Sequence, residues 1–323
     1  MPIISTPLDY NEEHLYIDLR RTLGLGLHLK CEGFNFAGSV KLKAARAMVR
    51  AAEREGVIGP GSVLVESSSG NLGIALAIIA ASRGYRFVCV TDRHCNETAR
   101  RLMAAYGATV HVVDAPGRHG GLLGARLALL RELLAAHPEF VWLNQYTSRR
   151  NWQAHFETTA PALAAEFPRL DVLFVGAGTT GTLMGCARWF RQHRPGVRIV
   201  AVDSVGSVSF GRPPAPRRIP GLGAGVRPPL LDPAVVDEVV HVPEARTVRM
   251  CRQLAACGFL LGGSSGTVTA GAAEWLAARR SSGTTAVAIA PDLGERYLDT
   301  VYRDDWVRAV YGATALDAGP AAG

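Results

Sequence analysis

Short apolar runs alternate with longer stretches of helical hydrophobic spacing through most of the 323 residues. That alternation predicts parallel sheet covered by helices on both faces. In the first half the pattern predicts strands at 62–66, 86–91, 109–113 and 140–144. Helices are expected over 71–83, 97–106 and 121–136, the second stopped by Gly107 and the third ending before Pro138. The second half predicts strands at 171–176, 198–203, 238–242 and 285–290. Its helices are expected at 152–166, 182–193, 244–256 and 267–280. Residues 204–233 are rich in Gly, Pro and Arg and carry little regular pattern, long enough for an irregular segment to suggest a functional role. The tail 313–323 is expected to be disordered, and no internal repeat is visible.

The apolar run at 72–81 is too short to span a bilayer and ends at Ser82-Arg83-Gly84, so it reads as a buried helix. No basic region followed by an apolar stretch opens the chain, and the cytoplasm is the expected compartment. Composition changes this picture little. Hydrophobic residues make up 48% and charged residues 20%, as in ordinary globular enzymes, and the length suits two subdomains. Cysteines at 31, 89, 95, 186, 251 and 257 form no CxxC pair and no zinc-like cluster with histidine, so no metal is expected. The net charge of +7 comes mainly from arginine in short pairs such as Arg100-Arg101, Arg149-Arg150 and Arg217-Arg218. A nucleic-acid binder would show a dense basic stripe with aromatics, which is missing here. The arginines read as a solvated surface, with a few available to anionic substrates.

Four segments carry candidate chemistry. They are GFNFAGSVKLKAARAM (33–48) with Lys41, SSSGN (67–71), GAGTTGT (176–182) and GGSSG (262–266). SSSGN and GAGTTGT each follow a predicted strand and open a helix, and Asn144-Gln145-Tyr146, Asp292 and Arg296 also follow strands. All therefore fall beyond carboxyl ends of parallel strands, where ligands of open sheets bind. GAGTTGT satisfies G-x-G-x-x-G, and Asp203 ends the next strand, so a nicotinamide dehydrogenase is a competing reading. Yet Thr179, Thr180 and Thr182 add hydroxyls suited to a single phosphate dianion. Alone, SSSGN reads as an N-cap and GGSSG as a turn before helix 267–280. Taken together, a lysine, an anion-binding loop and a lone hydroxyl are the layout expected around pyridoxal 5'-phosphate.

GSVK, SSGN, GAGTTGT and GGSSG, in this order, resemble the fold-type-II pyridoxal-phosphate enzymes of the cysteine synthase and cystathionine β-synthase family. The likeness runs from about residue 5 to 311. Further resembling segments point to the branch that makes N-(2-amino-2-carboxyethyl)-L-glutamate on the route to 2,3-diaminopropionate. They are PGRHGGLLGAR (116–126), NQYTSRRNWQAHF (144–156), GSVSFGRPP (206–214), RRIPGLGAG (217–225) and PDLGERYLDTVY (291–302). Sulfide-using members typically have KDR after the lysine and Thr after SGN. This chain has Lys41-Leu42-Lys43 and Leu72, which favours the glutamate-using branch.

The resemblance implies a tryptophan synthase β-like α/β fold of two subdomains with parallel-rich twisted sheets. A small one would cover 42–145, and a large one would combine 1–41 with 146–312. It implies that Lys41 carries the cofactor as a Schiff base and then removes the α-proton. Asn71 would meet the ring 3′-oxygen, residues Gly178, Thr179, Thr180, Gly181 and Thr182 the phosphate, and Ser264 the pyridine nitrogen. Ser68, Ser69 and Gln145 would bind the substrate α-carboxylate. Arg126, Tyr146 and Arg218 read as further substrate contacts. Each has a plain alternative, namely a helix-surface charge, packing beneath the cofactor and a solvated side chain. The implied reaction is β-replacement on O-phosphoserine through an α-aminoacrylate, with glutamate as the amine nucleophile and a homodimer as the assembly. A sulfide-using cysteine synthase, a serine/threonine dehydratase-type lyase and a non-catalytic binding relative remain as rivals.

Overall fold

The computed structural model describes residues 3–117, 121–279 and 283–316. The chain opens with β1 (Tyr16–Asp18), α1 (Arg20–Leu23), β2 (His28–Cys31) and α2 (Lys41–Arg54). Next come β3 (Val63–Ser67), α3 (Asn71–Arg83), β4 (Arg86–Asp92), α4 (Glu97–Ala105), β5 (Thr109–Val113), α5 (Gly121–Ala136) and β6 (Phe140–Trp142). After α6 (Arg149–Glu157) and α7 (Thr159–Glu166) come β7 (Val172–Gly176), α8 (Gly181–His193), β8 (Arg198–Ser204) and β9 (Glu238–Val242). The remaining elements are α9 (Glu244–Ala256), α10 (Gly263–Arg279), β10 (Ala286–Ala290) and α11 (Asp304–Tyr311).

Two sheets organise these elements. One has six strands in the order β1-β2-β10-β7-β8-β9, parallel except where β1 pairs antiparallel with β2. The other has four strands, β5-β4-β3-β6, all parallel. Strands covered on both faces read as continuous apolar runs, and β3 and β10 are buried at every position. The period-2 alternation of side chains separates the layers. Val172 and Phe174 join one core with Leu29, Val202 and Trp275. Leu173 and Val175 join another with Phe190, Ile199 and Val287. In the smaller sheet Leu64 faces α2 and α3 with Ile74, Ile78 and Met103, while Val63 and Val65 pack with Leu130 of α5.

Several boundaries depart from the sequence expectation. The predicted helix 152–166 is two helices broken at Thr158 (φ −126°, ψ −65°). Pro161 explains the break, because its ring has no N–H for the Glu157 carbonyl and would clash with it. The strand expected at 140–144 ends at Trp142, since Asn144 turns left-handed (φ 52°). Helix α10 starts at Gly263 rather than 267, so GGSSG does not turn the chain before a helix. Its glycines serve close packing. A Cβ on Gly262 would lie 2.4 Å from Asp292 Cγ, and one on Gly266 would lie 2.2 Å from Cys251 Sγ. In the tail, Ala313–Ala315 form a 3₁₀ turn with Ala315 buried, so 313–316 is ordered, and 317–323 lies outside the described residues. Arg118, His119 and Gly120 of the PGRHGGLLGAR segment also lie outside them.

Residues 205–232 contain no helix or strand, as expected, but their path is tied to the strand ends. Ser207 Oγ accepts from Ala224 N at 3.0 Å, and Gly223 N donates to Ala177 O at 2.7 Å. No described helix is long and apolar enough to cross a membrane.

Candidate active site

The parallel register aligns the carboxyl ends of β3, β4 and β6 in one sheet and of β7 and β10 in the other. Loops leaving those ends enclose a cavity of about 840 Å³, walled also by 215–229. Every site residue expected from the sequence lines it. The only described non-glycine residues with positive φ, Asn144 and Thr180, also lie on its wall. Such backbone costs energy, and it collects here where side chains must be aimed.

Lys41 is the first residue of α2 and partly buried on the cavity wall. Burial lowers its amine to about 8, with Asp292 opposing the shift. Asp292 follows β10 and is itself buried, which pushes its carboxyl up. Tyr297 donates to it at 2.6 Å, Ser265 N at 3.2 Å and Asn71 Nδ2 at 3.3 Å. Arg296 donates to Asn71 Oδ1 and to the Ala37 carbonyl. That contact fixes the Asn71 amide with its NH₂ toward Asp292 and the cavity.

On the β3 side, Ser68 Oγ accepts from Gly70 N at 3.1 Å and from Gly73 N at 2.9 Å. Ser68 thus does the capping work of α3, and its own proton stays available. Ser69 is half-buried on the same wall. Gln145 Nε2 donates to Ser67 O at 2.7 Å, and the Tyr146 hydroxyl donates to that carbonyl at 3.3 Å. Behind them Glu66 is fully buried, and burial raises its carboxyl to about 7 despite bonds from Trp142 Nε1, Ser67 N and Gln145 N. Arg126 is not a helix-surface charge. It is 7% exposed, its Nε lies 3.2 Å from Asp92 Oδ2 as an ion pair, and among the described residues neither Nε nor Nη1 makes a well-aligned hydrogen bond. Arg218 is exposed, and only its backbone N–H is committed, to Glu244.

In the turn after β7 the glycines allow close packing, and one threonine hydroxyl is left without a partner among the described residues. A Cβ on Gly178 would lie 2.7 Å from Gly221 O, and one on Gly181 2.0 Å from Asn151 Oδ1. The buried Thr180 Oγ1 has no partner, although it stands at the N-terminus of α8. Helix N-termini hold phosphate through free amides and the macrodipole. Across the cavity Ser264 is buried, and a Cβ on Gly221 would lie 2.2 Å from its Oγ. The residues present therefore fit pyridoxal phosphate. Lys41 would meet the aldehyde, the 178–182 turn the phosphate, and Asn71 and Ser264 the ring's polar edge. Asp203 does not fit a ribose contact, because it is wholly buried and accepts from Ser204 N at 2.8 Å.

Asp92 and Tyr297 on the wall were not singled out in the sequence, while Asn144 and Arg296 on the wall and Asp292 behind Asn71 were placed at strand ends but given no role. Asp292 and Arg296 carried the signal of following strand 285–290. Asn144 and Asp92 carried only their place at a strand end.

Two parallel-rich sheets with a lysine, a glycine-threonine turn and the buried Ser264 around one cavity define a fold-type-II enzyme of the pyridoxal-phosphate class. The chain belongs to the pyridoxal-phosphate dependent enzyme family, whose model it matches over residues 3–292. It is 42% identical to the N-(2-amino-2-carboxyethyl)-L-glutamate synthase of Ralstonia nicotianae, covering 88% of this chain and 85% of that protein. It is 40% identical to the synthase of the same name from Cupriavidus metallidurans, covering 93% and 90%. Among solved structures it resembles O-ureido-L-serine synthase, with a TM-score of 0.85, 34% identity and coverage of 99% and 98%. It also resembles the O-acetylserine dependent cystathionine beta-synthase from Helicobacter pylori, with a TM-score of 0.85, 27% identity and coverage of 94% and 100%.

Proposed function

We propose that this enzyme performs β-replacement on O-phospho-L-serine with the amine of L-glutamate. The products are N-(2-amino-2-carboxyethyl)-L-glutamate and phosphate. The observation that carries the substrate choice is Arg126, a buried guanidinium that Asp92 pairs on its Nε side and whose Nη1 has no hydrogen-bond partner among the described residues, on the wall of a cavity that also holds Lys41. Beyond Asp92, the remaining guanidinium donors suit a further anionic oxygen, and both substrates bring one. The names of the two synthases at 40–42% identity support the same reading.

Pyridoxal phosphate supplies the electron sink that makes the substrate Cα proton acidic. In the proposed roles, Ser68, Ser69 and Gln145 hold the α-carboxylate, which orients the Cα–H toward Lys41. The lowered affinity of the Lys41 amine for protons leaves it able to accept that proton near neutral pH. Ser264 offers the ring nitrogen a neutral partner rather than a carboxylate, which weakens the sink and favours prompt departure of the β-phosphate. Arg218, exposed on the wall, meets the departing dianion, and Arg126 meets a glutamate carboxylate. We assign residues 42–145 to a small subdomain and 1–41 with 146–312 to a large one, with a homodimer as the assembly.

The test is phosphate release from O-phosphoserine with and without glutamate, with the product read by mass spectrometry. Glutamate-dependent release and the adduct mass are expected, and Lys41→Ala should lose turnover. Release with sulfide but not glutamate would make it a cysteine synthase. Pyruvate formation without any nucleophile would make it a lyase.

A further inference from the structure

A buried hydrogen-bonded chain runs from the phosphate turn to a cluster of four charges, and no role described so far uses it. Lys43 Nζ contacts Glu13 at 2.6 Å, Glu32 at 2.8 Å and Thr159 Oγ1 at 3.1 Å. Lys30 approaches Glu32 to 3.5 Å. Thr159 Oγ1 lies 3.0 Å from His155 Nδ1, and His155 Nε2 lies 3.2 Å from Thr182 Oγ1. Lys43, Thr159 and His155 are all buried, and Thr182 faces the cavity.

We infer that Lys43, Thr159 and His155 are positioning residues that turn the Thr182 hydroxyl into a dedicated donor for the cofactor phosphate. The direction of every link follows from donor counting. Lys43 has only protons to give, so Thr159 Oγ1 accepts from it. Among the described residues the Thr159 hydroxyl has no other acceptor, so its single proton goes to His155 Nδ1. That leaves Nδ1 bare and puts the ring proton on Nε2, which donates to Thr182 Oγ1. With its oxygen accepting from histidine, Thr182 has its own proton free for the cavity.

Electrostatics agree with the counting. Burial, aided by Lys43, lowers the His155 imidazole to about 3, so the ring is neutral and has one donor and one acceptor. Burial alone would neutralise Lys43, but Glu32 and Glu13 outweigh it and keep it charged. Two lysines against two glutamates leave the cluster near neutrality, so the chain delivers a polarised hydroxyl rather than a further buried cation.

The inference is independent of which nucleophile the enzyme uses, so it can fail or stand separately from the proposed reaction. The experiment is ¹⁵N NMR of histidine-labelled holoenzyme, with cofactor retention measured by dialysis and phosphorus NMR of the bound phosphate. In the wild type, His155 should show Nε2 protonated and Nδ1 bare. Thr159→Val keeps the shape but removes the link. It should give mixed tautomers, a shifted phosphorus signal and cofactor affinity weaker by about three- to tenfold. Thr159→Ser should restore all three. A wild-type His155 protonated on Nδ1 would overturn the inference. So would a Thr159→Val enzyme whose tautomer and cofactor affinity are unchanged. Should Thr159→Val fail to fold, the wild-type tautomer and the serine variant still decide.

Discussion

At the scale of single residues, the chemistry concentrates in how burial treats each ionisable group. Lys41 shows the sign clearly. Its amine is lowered from the ordinary lysine value to about 8 because the charged form loses water. At pH 7 about a tenth of it is unprotonated, against roughly one part in three thousand for an ordinary lysine. Attack on the cofactor aldehyde needs the bare amine. Capture of pyridoxal phosphate by apoprotein should therefore speed up tenfold per pH unit below about 8 and level off above it. Stopped-flow absorbance against pH checks this, and a profile that keeps rising to pH 10 would contradict it. The same lowering weakens the apoprotein below its plateau. The unfolded chain binds the extra proton, so stability is lost below the folded value and recovers as pH rises from about 8 toward the ordinary lysine range. That Lys41, Asn71, Ser264 and the 178–182 turn share one cavity wall was legible in sequence because each sits in a short motif of unusual residue types beyond a strand end or at a helix start. Asp92 was not, since a lone acid at a strand end looks like any other until Arg126 is found against it.

At the scale of elements, strand periodicity and helix stops carried most of the architecture. Helices 71–83, 121–136 and 244–256 lie as their patterns predict. The failures have local causes. Pro161 splits one predicted helix, and the glycines of 262–266 suggested a turn where a helix actually begins. Glycine has two uses, conformational freedom and lack of bulk, and sequence alone does not say which applies. Gly266 separates them experimentally. If it were merely a helix glycine, Gly266→Ala would stabilise by about 1 kcal/mol through propensity. The structure puts the new methyl 2.2 Å from Cys251 Sγ and 3.1 Å from Thr247 O, where α9 crosses α10. Overpacking of that kind costs about 1–3 kcal/mol. Gly266→Ala should thus lower the melting temperature by several degrees in a thermal unfolding scan, and a rise would place the glycine among the merely permissive ones.

At the scale of the whole molecule, two sheets meet across one cavity, and the bonds between them fall into two groups. On one side Lys43 binds Glu13, Glu32 and Thr159, Arg46 holds the Leu8 carbonyl, and Arg150 reaches Glu55. On the other, Asn71 meets Asp292 and Arg296, and Asn96 Nδ2 donates to Arg296 O at 2.8 Å. The first group centres on the buried Lys43 ion pairs and ends in the exposed Arg150–Glu55 pair, and the second is a few contacts at the N-termini of α3 and α4. None of this pairing was readable beforehand, because it joins residues that no local pattern links, up to 225 positions apart. If the small subdomain moves against the large one, the second group must be what opens. Arg296→Ala tests this by leaving Asn71 Oδ1 and Ala37 O without their donor. Amide exchange should rise at the starts of α3 and α4 and stay near wild type across α2 and α6, which the ionic group holds. A uniform rise would instead mean that Arg296 supports the fold as a unit. An unchanged pattern would mean that the two halves are held together by the Lys43 side alone.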